Sequence, residues 1–333
     1  MTDTAHARVS RRPPSDEVST EQFAADVALY LSRTPRQLPS RYLYDPLGSA
    51  LFDAICRLPW YRVTRAETGL LDRHSGSILA ACDPLTDIVE LGSGSGEKLM
   101  KILAGRSADS PLLRVHLVDV SRAALAGAAG LLLGLPKVQV VMHQAPYEVG
   151  LEDVGRERSG DGRTLALFLG SNLGNFDLPR SNELLRHIRA ALGPHDFFLL
   201  GADLVKPEHD LLLAYSDPLG VTAAFNLNLL VRINRELGAD FDLGGFRHRA
   251  VWNADESRLE SYLVSTRPQR VEISAADLEF TMQEGESIWT ESSYKYTLDG
   301  VFEMLEAAGL RRRQAWLDED AQFALMLVEA GPS

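Results

Sequence analysis

A glycine-rich segment that follows a short apolar run is the feature that most constrains the fold of this sequence. It reads IVELGSGSGEK over residues 88–98, with Glu90 near the end of the apolar run and Gly92, Gly94 and Gly96 behind it. Glycines there let the backbone turn tightly from a strand into a helix and approach a ligand closely. The G-x-G-x-G spacing behind an acid differs from the dinucleotide fingerprint G-x-G-x-x-G, and the P-loop pattern is absent from the sequence. The segment predicts a strand, a ligand-binding loop and a helix, and it argues against a kinase or an ATPase.

Short apolar runs and amphipathic helical patterns alternate around this loop, as in a parallel sheet with crossover helices. The predicted strands are residues 87–91, 114–119, 138–142, 165–169 and 197–202, and the predicted helices are 97–103, 121–133 and 180–192. Asp119 ends the second strand, where a carboxylate would accept both ribose hydroxyls of an adenosine. The pattern predicts a doubly wound α/β core that binds an adenosine-containing ligand.

The flanking segments have a different character. An amphipathic helix is predicted at residues 20–31, ahead of an aromatic-rich segment. After the fifth strand, a helix at 221–236 precedes two alternating runs joined by the turn-like NADES, which predicts an antiparallel insertion. Those runs are residues 246–252 and 258–266, and the chain closes with a predicted helix, 300–308, and two strands, 312–316 and 323–328. The last two strands would form an antiparallel edge of the sheet.

Charge and composition restrict the ligands. The 333 residues carry a formal net charge of -12 from acids scattered along the chain. This argues against a nucleic-acid groove or an anionic membrane surface and favours a small uncharged or zwitterionic ligand. Cys56 and Cys82 are predicted to be reduced core thiols, and no apolar run approaches the ~20 residues of a membrane span. We expect a cytoplasmic, monomeric protein with a disordered leader over residues 1–18.

Five longer motifs then point to a family. They are RYLYDPLGSALFDAICRLPWY, ELGSGSGEK, LFLGSNLGNF, GVTAAFNLNLLVRINRELGADFD and TESSYKY. Together they make the chain resemble the histidine Nα-methyltransferases of ergothioneine biosynthesis from about Leu38 to the C-terminus. The resemblance implies a class I Rossmann-like S-adenosyl-L-methionine (SAM) methyltransferase core with a second, α+β substrate-binding domain. The core would comprise residues 65–203 plus 295–333, and the second domain residues 19–64 plus 204–294.

The resemblance also implies a SAM site and no metal. The residues assigned to it are Glu90, Gly92, Ser93, Gly94, Gly96, Lys98, Asp119, Tyr147 and Gly170. The family pattern has an acidic-aromatic pair after the third strand to contact adenine, whereas this sequence has Pro146 and Tyr147 there. The acid is lost, and Tyr147 is expected to stack on the base.

A substrate site for a free amino acid follows from the same resemblance. Its residues are Tyr44, Tyr61, Asn175, Tyr215, Ser261, Glu291 and Ser293. Asn175 would hold the amino and carboxylate end, and Tyr215 would bind the carboxylate. The imidazole N–H groups would donate to Glu291 and Ser293. Ser261 stands where a methionine is expected to line the imidazole pocket.

The resemblance predicts methylation of L-histidine to its Nα-trimethyl betaine, hercynine. Asn175 and Tyr44 are the predicted catalytic residues, since their hydrogen bonds would ease loss of the amine proton to solvent. Three other functions remain open: Nα-methylation of another, aromatic amino acid, a catalytically inactive SAM-binding regulator, and an NAD-dependent dehydrogenase. Glu291 argues against an indole substrate, because an indole offers a single N–H donor.

Overall fold

The structure is a computed structural model that describes residues 8–9, 19–107, 109–157 and 162–331. In chain order its strands are β1 (Arg8–Val9), β2 (Arg36–Gln37), β3 (Leu85–Leu91), β4 (Leu113–Asp119), β5 (Val138–Gln144), β6 (Arg163–Phe168), β7 (Phe197–Asp203), β8 (Phe246–Asn253), β9 (Arg258–Ser265), β10 (Gln269–Ile273), β11 (Leu278–Met282), β12 (Ser287–Tyr294), β13 (Leu310–Asp318) and β14 (Phe323–Ala330). The helices are α1 (Thr20–Leu31), α2 (Pro46–Arg57), α3 (Val63–Ala81), α4 (Glu97–Ala104), α5 (Arg122–Leu132), α6 (Tyr147–Glu157), α7 (Leu178–Ala191), α8 (Glu208–Tyr215), α9 (Val221–Leu237) and α10 (Leu298–Ala307).

These elements form two compact units. The core unit takes in residues 65–204 and the C-terminal segment from Tyr296, together with β1. The insert unit comprises the segment up to Thr64 and residues 205–295. Two boundaries lie one residue beyond those predicted from the sequence. Leu204 still donates its N–H to Gln322 in the core unit, and the N–H of Lys295 donates to the carbonyl of Ser257 in the insert unit.

The core unit is built on an eight-stranded sheet in the order β1-β5-β4-β3-β6-β7-β14-β13. The strands from β1 to β7 pair in parallel, and β14 and β13 add an antiparallel edge. Parallel strands are covered on both faces, so β7 is buried along its whole length. The predicted doubly wound sheet, its five parallel strands and its antiparallel edge are confirmed. Because β3, the first strand of the doubly wound core, lies between β4 and β6, the chain reverses direction across the sheet there, which is where such sheets bind ligands.

The insert unit contains a four-stranded sheet in the order β2-β12-β9-β8 and a separate β10-β11 hairpin. The predicted antiparallel pair is confirmed as β8 and β9, with Ala250 opposite Ser261. The sequence did not predict β12, which pairs antiparallel with β9 and carries Glu291 and Ser293. Helices α2 and α9 pack against each other, and the side chain of Phe225 on α9 is buried.

Other predictions were incomplete. Helices α3, α6 and α8 were not predicted. The predicted leader lies outside the described residues except at β1, where Arg8–Val9 pairs with Val141 and Met142 of β5. At those two residues the expectation of disorder is wrong, because their backbone adds to the edge of the sheet. Among the described residues, no helix is long and apolar enough to cross a membrane.

Candidate active site

The glycine loop lies at the carboxyl end of β3 and leads into α4. Gly92, Gly94 and Gly96 all have positive φ angles of 77°, 49° and 75°. A Cβ atom on Gly96 would come within 2.9 Å of Ala128 Cα in α5, and one on Gly92 would lie 3.1 Å from the hydroxyl of Tyr147. A Cβ on Gly94 would meet nothing within 4 Å. Gly92 and Gly96 therefore permit close packing, whereas the backbone at Gly94 is open to a ligand.

Asp119 is held against this loop at the end of the neighbouring strand. Its carboxylate accepts a hydrogen bond from the N–H of Ser121 at 2.8 Å and a longer one from the N–H of Gly94 at 3.5 Å. Burial raises the pKa of Asp119, and the backbone donors at Ser121 and Gly94 oppose that rise. Side by side in the sheet, β3 and β4 thus bring the predicted acid and the predicted loop together.

Two polar side chains of the loop region are buried without a hydrogen-bond partner among the described residues. Glu90 is 3% exposed and Ser93 is 4% exposed, and neither Glu90 Oε2 nor Ser93 Oγ has a partner. Burial raises the pKa of Glu90 to about 8, and the positive charge of Lys98 opposes it. Unpaired buried acceptors are costly, so this end of the loop fits a ligand with cationic N–H donors, such as the amino end of SAM.

Lys98 is held by a carboxylate that the sequence did not reveal. Its Nζ lies 2.6 Å from Oε2 of Glu67, a fully buried residue of α3. The N–H of Gly170, in the loop after β6, donates to both carboxylate oxygens of Glu67 at 2.8 and 2.9 Å. Glu67 therefore joins two predicted cofactor residues, Lys98 and Gly170, that lie far apart in the sequence.

The loop after β6 contains two asparagines in different settings. A Cβ on Gly92 would lie 3.3 Å from Nδ2 of Asn172, so this side chain borders the glycine loop. Asn175, the predicted catalytic residue, ends the 3₁₀ turn that begins at Asn172, and it is exposed. Tyr147, at the start of α6, packs edge-on against Phe168 with ring centroids 5.3 Å apart. The structure thus adds Asn172 to the residues around the glycine loop. The sequence motif GSNLGN contains both asparagines and did not indicate that Asn172 would border this loop.

The insert unit brings three of the predicted substrate residues onto one face of its sheet. Glu291 and Ser293 are two residues apart on β12, and Ser261 lies directly opposite Glu291 on β9. Residues two apart and directly opposed pairs share a face of the sheet. Burial raises the pKa of Glu291 to about 7, and the positive charge of Lys295 opposes it. Ser261 is 1% exposed, and its hydroxyl has no partner among the described residues.

A lysine missed by the sequence completes this group. Lys295 is 2% exposed, and its Nζ lies 2.6 Å from Ser293 Oγ and 2.9 Å from the hydroxyl of Tyr215. The two hydroxyls are 2.9 Å from each other. We call Ser261, Glu291, Ser293, Lys295 and Tyr215 the Glu291 cluster. Lys295 stands four residues after Glu291 in TESSYKY, and only the structure shows that its ammonium turns toward the two hydroxyls.

Aromatic rings surround the same region of the insert unit. The ring of Tyr61 packs edge-on against that of Tyr215 at 6.0 Å. Tyr44 contacts Phe52 and Phe225, each at 5.5 Å, and is 39% exposed. The sequence predicted the two tyrosines, while Phe52 and Phe225 emerge from the packing of α2 against α9.

One group of possible metal ligands occurs in the described residues, and none of its members is a predicted site residue. Single ligand atoms of His116, His143 and Glu157 lie within 4.8 Å of one another. The buried imidazoles of His116 and His143 share a 2.9 Å hydrogen bond between ring nitrogens, which accounts for their approach without an ion.

A doubly wound sheet with a glycine loop behind an acid, and a second acid after the adjacent strand, defines a class I SAM-dependent methyltransferase. SAM is accordingly the methyl donor, and the buried acceptors of Glu90 and Ser93 fit its cationic end. Within this class, the chain belongs to the family described as "Histidine-specific methyltransferase, SAM-dependent", whose model matches residues 23–330.

Similar proteins span nearly the whole chain. Histidine N-alpha-methyltransferase of Mycolicibacterium smegmatis is 40% identical over 312 residues, covering 93% of this chain and 95% of that protein. The protein of the same name from Mycobacterium tuberculosis is 41% identical over 304 residues, covering 91% and 93%. The L-tryptophan methyltransferase of Psilocybe serbica is 25% identical over 341 residues, covering 94% of each chain. The predicted family, class of enzyme and methyl donor are confirmed.

Proposed function

We propose that this enzyme transfers methyl groups from SAM to the α-amino nitrogen of free L-histidine and yields the trimethylated betaine, hercynine, as a step of ergothioneine biosynthesis. The two histidine N-alpha-methyltransferases that resemble it support histidine over other amino acids. An ergothioneine biosynthesis protein of Neurospora crassa, 26% identical over 285 residues, supports the pathway.

The Glu291 cluster is the observation that carries the proposal. An imidazole has two ring nitrogens at a fixed separation, and a pocket for it needs hydrogen-bonding groups on one surface. Glu291 offers a carboxylate there, and Ser293 and Ser261 offer hydroxyls on the same face of the β9-β12 pair. An indole would satisfy Glu291 through its single N–H and leave the remaining polar groups unpaired.

The core unit supplies the proposed donor site. Asp119 would hold the ribose hydroxyls, Tyr147 would contact the base, and Lys98, fixed by Glu67, would bind the carboxylate of the methionine moiety. The remaining residues of that site would be Glu90, Gly92, Ser93, Gly94, Gly96 and Gly170, whose loops expose backbone N–H groups and buried acceptors.

SAM supplies a methyl group on a sulfonium, which is already a good leaving group. Methyl transfer is an in-line displacement: the amine lone pair forms the N–C bond while the C–S bond breaks and its electrons pass to sulfur. The protein has to hold the amine deprotonated and aligned. We assign that task to Asn175 and Tyr44, which would position the amine by hydrogen bonds while its proton leaves to water. Tyr61 would pack against the substrate, whereas the hydroxyl of Tyr215, predicted to bind the carboxylate, lies against Ser293 and Lys295 in the Glu291 cluster.

The test is turnover with SAM against all twenty free amino acids, followed by mass spectrometry. Trimethylated histidine should be the dominant product, and an Asn175→Ala enzyme should lose most of its turnover while still binding SAM. A different methylated amino acid as the main product would refute the histidine assignment. SAM binding without any product would contradict methyl transfer to a free amino acid.

A further inference from the structure

The ammonium of Lys295 lies inside the Glu291 cluster, and lysines are rarely buried in a protein unless they are paired. Only 2% of the residue is exposed, so the charge is withdrawn from water. Its Nζ donates to Ser293 Oγ and to the hydroxyl oxygen of Tyr215, at 2.6 and 2.9 Å. An ammonium has donors and no acceptor, so both hydroxyl oxygens act as acceptors toward Lys295.

This arrangement restricts what Ser293 can offer to a ligand. The 2.9 Å contact between Ser293 Oγ and the hydroxyl of Tyr215 needs one of the two to donate. A phenol is the more acidic hydroxyl and an aliphatic oxygen the better acceptor, which favours donation from Tyr215 to Ser293. Ser293 Oγ then accepts from both Tyr215 and Lys295, and both of its lone pairs are used. Its remaining capacity is its own O–H, which it can only donate.

We infer that Lys295 is a specificity-determining residue that makes the Glu291 cluster select the neutral form of the imidazole, an inference that rests on the proposed function. Neutral imidazole has one N–H donor and one nitrogen lone pair. The N–H would donate to the carboxylate of Glu291, and the lone pair would accept from the Ser293 hydroxyl. Ser293 thus acts as the donor in this pair, whereas the sequence suggested that it accepts an imidazole N–H.

Charge supports the same assignment. An imidazolium would present two N–H donors, of which one would meet the donating hydroxyl of Ser293 and, behind it, the ammonium of Lys295. Both encounters are unfavourable in a site shielded from water. The negative charge of the Glu291 carboxylate and the positive charge of the Lys295 ammonium cancel, so a neutral ring leaves the cluster without net charge.

The experiment compares L-histidine with the two isomers of pyrrolylalanine, in which one ring nitrogen is replaced by CH. Each isomer keeps one N–H for Glu291 and lacks the lone pair that Ser293 would serve. For the unchanged enzyme, kcat/KM should favour histidine over the better isomer by about tenfold or more, since an unsatisfied buried donor costs about 1–3 kcal/mol. In Lys295→Met, Ser293 can donate to Tyr215 instead, and the preference should fall to within about threefold.

The ratio of the two substrates isolates this effect from general damage to the pocket. Both use Glu291 through an N–H, so leaving that carboxylate without its cation should slow both alike. Lys295→Arg, which keeps the charge and the donors, should retain the preference, and the exposed Lys137→Met serves as the control. The Kd for SAM should stay within about twofold in every variant, because the Glu291 cluster lies in the insert unit and SAM is proposed to bind the core unit.

If Lys295→Met keeps the full preference for histidine, the inference is overturned while the proposed function stands. Ser293→Ala provides a second variant should Lys295→Met fail to fold, and it should collapse the preference with Lys295 in place. An unchanged enzyme that methylates some other amino acid and not histidine would overturn the proposed function itself.

Discussion

Ser261 is a buried residue whose hydroxyl, unpaired within the described part of the chain, points to a role in binding substrate. It lies opposite Glu291 on the neighbouring strand, is 1% exposed, and has a hydroxyl without a partner among the described residues. A buried hydroxyl without a hydrogen bond destabilises the folded protein. A substrate nitrogen or carboxylate oxygen at this face would satisfy it, which is a reason to keep a serine where the family pattern has a methionine.

Replacing Ser261 by alanine should therefore separate stability from activity. We expect the unfolding free energy of the ligand-free protein to rise by about 1 kcal/mol, because the unpaired hydroxyl is gone. The KM for histidine should rise several-fold, because the substrate loses the same hydroxyl. Urea unfolding and steady-state kinetics measure the two effects.

Ser265, on the same strand, is the matched control. It is equally buried, but its hydroxyl donates to the carbonyl of Arg267 at 2.7 Å. Ser265→Ala should lower stability and leave the KM for histidine unchanged. Loss of stability in both variants would show that the Ser261 hydroxyl is paired in solution.

At the scale of elements, α3 fixes two loops through one side chain. Glu67 contacts Lys98 at the start of α4 and the backbone N–H of Gly170 after β6. The helix was missed from the sequence although buried residues recur along it at helical spacing, at Val63, Ala66, Leu70, Leu71 and Ile78. The signal was present, but polar residues between these positions diluted it.

We expect Glu67→Gln to weaken both folding and SAM binding. The glutamine oxygen can still accept from Gly170, but the ion pair with Lys98 is lost. Removing one partner of a largely buried ion pair costs on the order of 2–4 kcal/mol. The Kd for SAM should rise about tenfold or more, as Lys98 is no longer held in place; calorimetric titration and urea unfolding measure the two effects.

The same two helices provide a control. Asp72 on α3 pairs with Lys101 on α4 at 2.8 Å, with side chains 53% and 32% exposed. Surface pairs contribute about 0–1 kcal/mol, so Asp72→Asn should change stability little and SAM binding not at all. Equal effects of the two substitutions would contradict a positioning role for Glu67.

At the scale of the whole molecule, the sequence predicted what depends on local pattern and missed what depends on packing. The parallel strands, the glycine loop and Asp119 follow from periodicity and turn chemistry, and the structure has them where predicted. Glu67 and Lys295 were missed because a buried charge looks in sequence like any solvated one. Their partners, Gly170 for one and Tyr215 for the other, lie 103 and 80 residues away along the chain. Such pairings become visible only once the chain is folded.

Glu90, which is buried, and Glu291, which is half-buried, predict how the stability of the whole ligand-free molecule changes with pH. Burial raises the pKa of Glu90 to about 8 and that of Glu291 to about 7, so the folded state holds these protons more tightly than the unfolded state. Each therefore lowers stability as pH rises from about 4.5, and the loss is complete above its folded pKa. Carboxylates with lowered pKa, such as Asp45 and Asp217, lose their contribution only under more acidic conditions, so they do not mask this window.

Urea unfolding of Glu90→Gln and Glu291→Gln across this range should show the effect as a difference from the unchanged protein. At about pH 3.5, below the unfolded pKa of 4.5, each variant should be about as stable as that protein, because the glutamate is largely neutral in both states. Toward higher pH, Glu90→Gln should gain stability up to about pH 8 and Glu291→Gln up to about pH 7, by about 1.4 kcal/mol for each unit of pKa shift that is removed. The gains should add in the double variant, because the two glutamates lie in separate compact units and share no partner among the described residues. If the difference in unfolding free energy between variant and unchanged protein stays constant from pH 4.5 to 8, these carboxylates are hydrated in the folded protein. That result would also contradict a water-shielded imidazole pocket around Glu291.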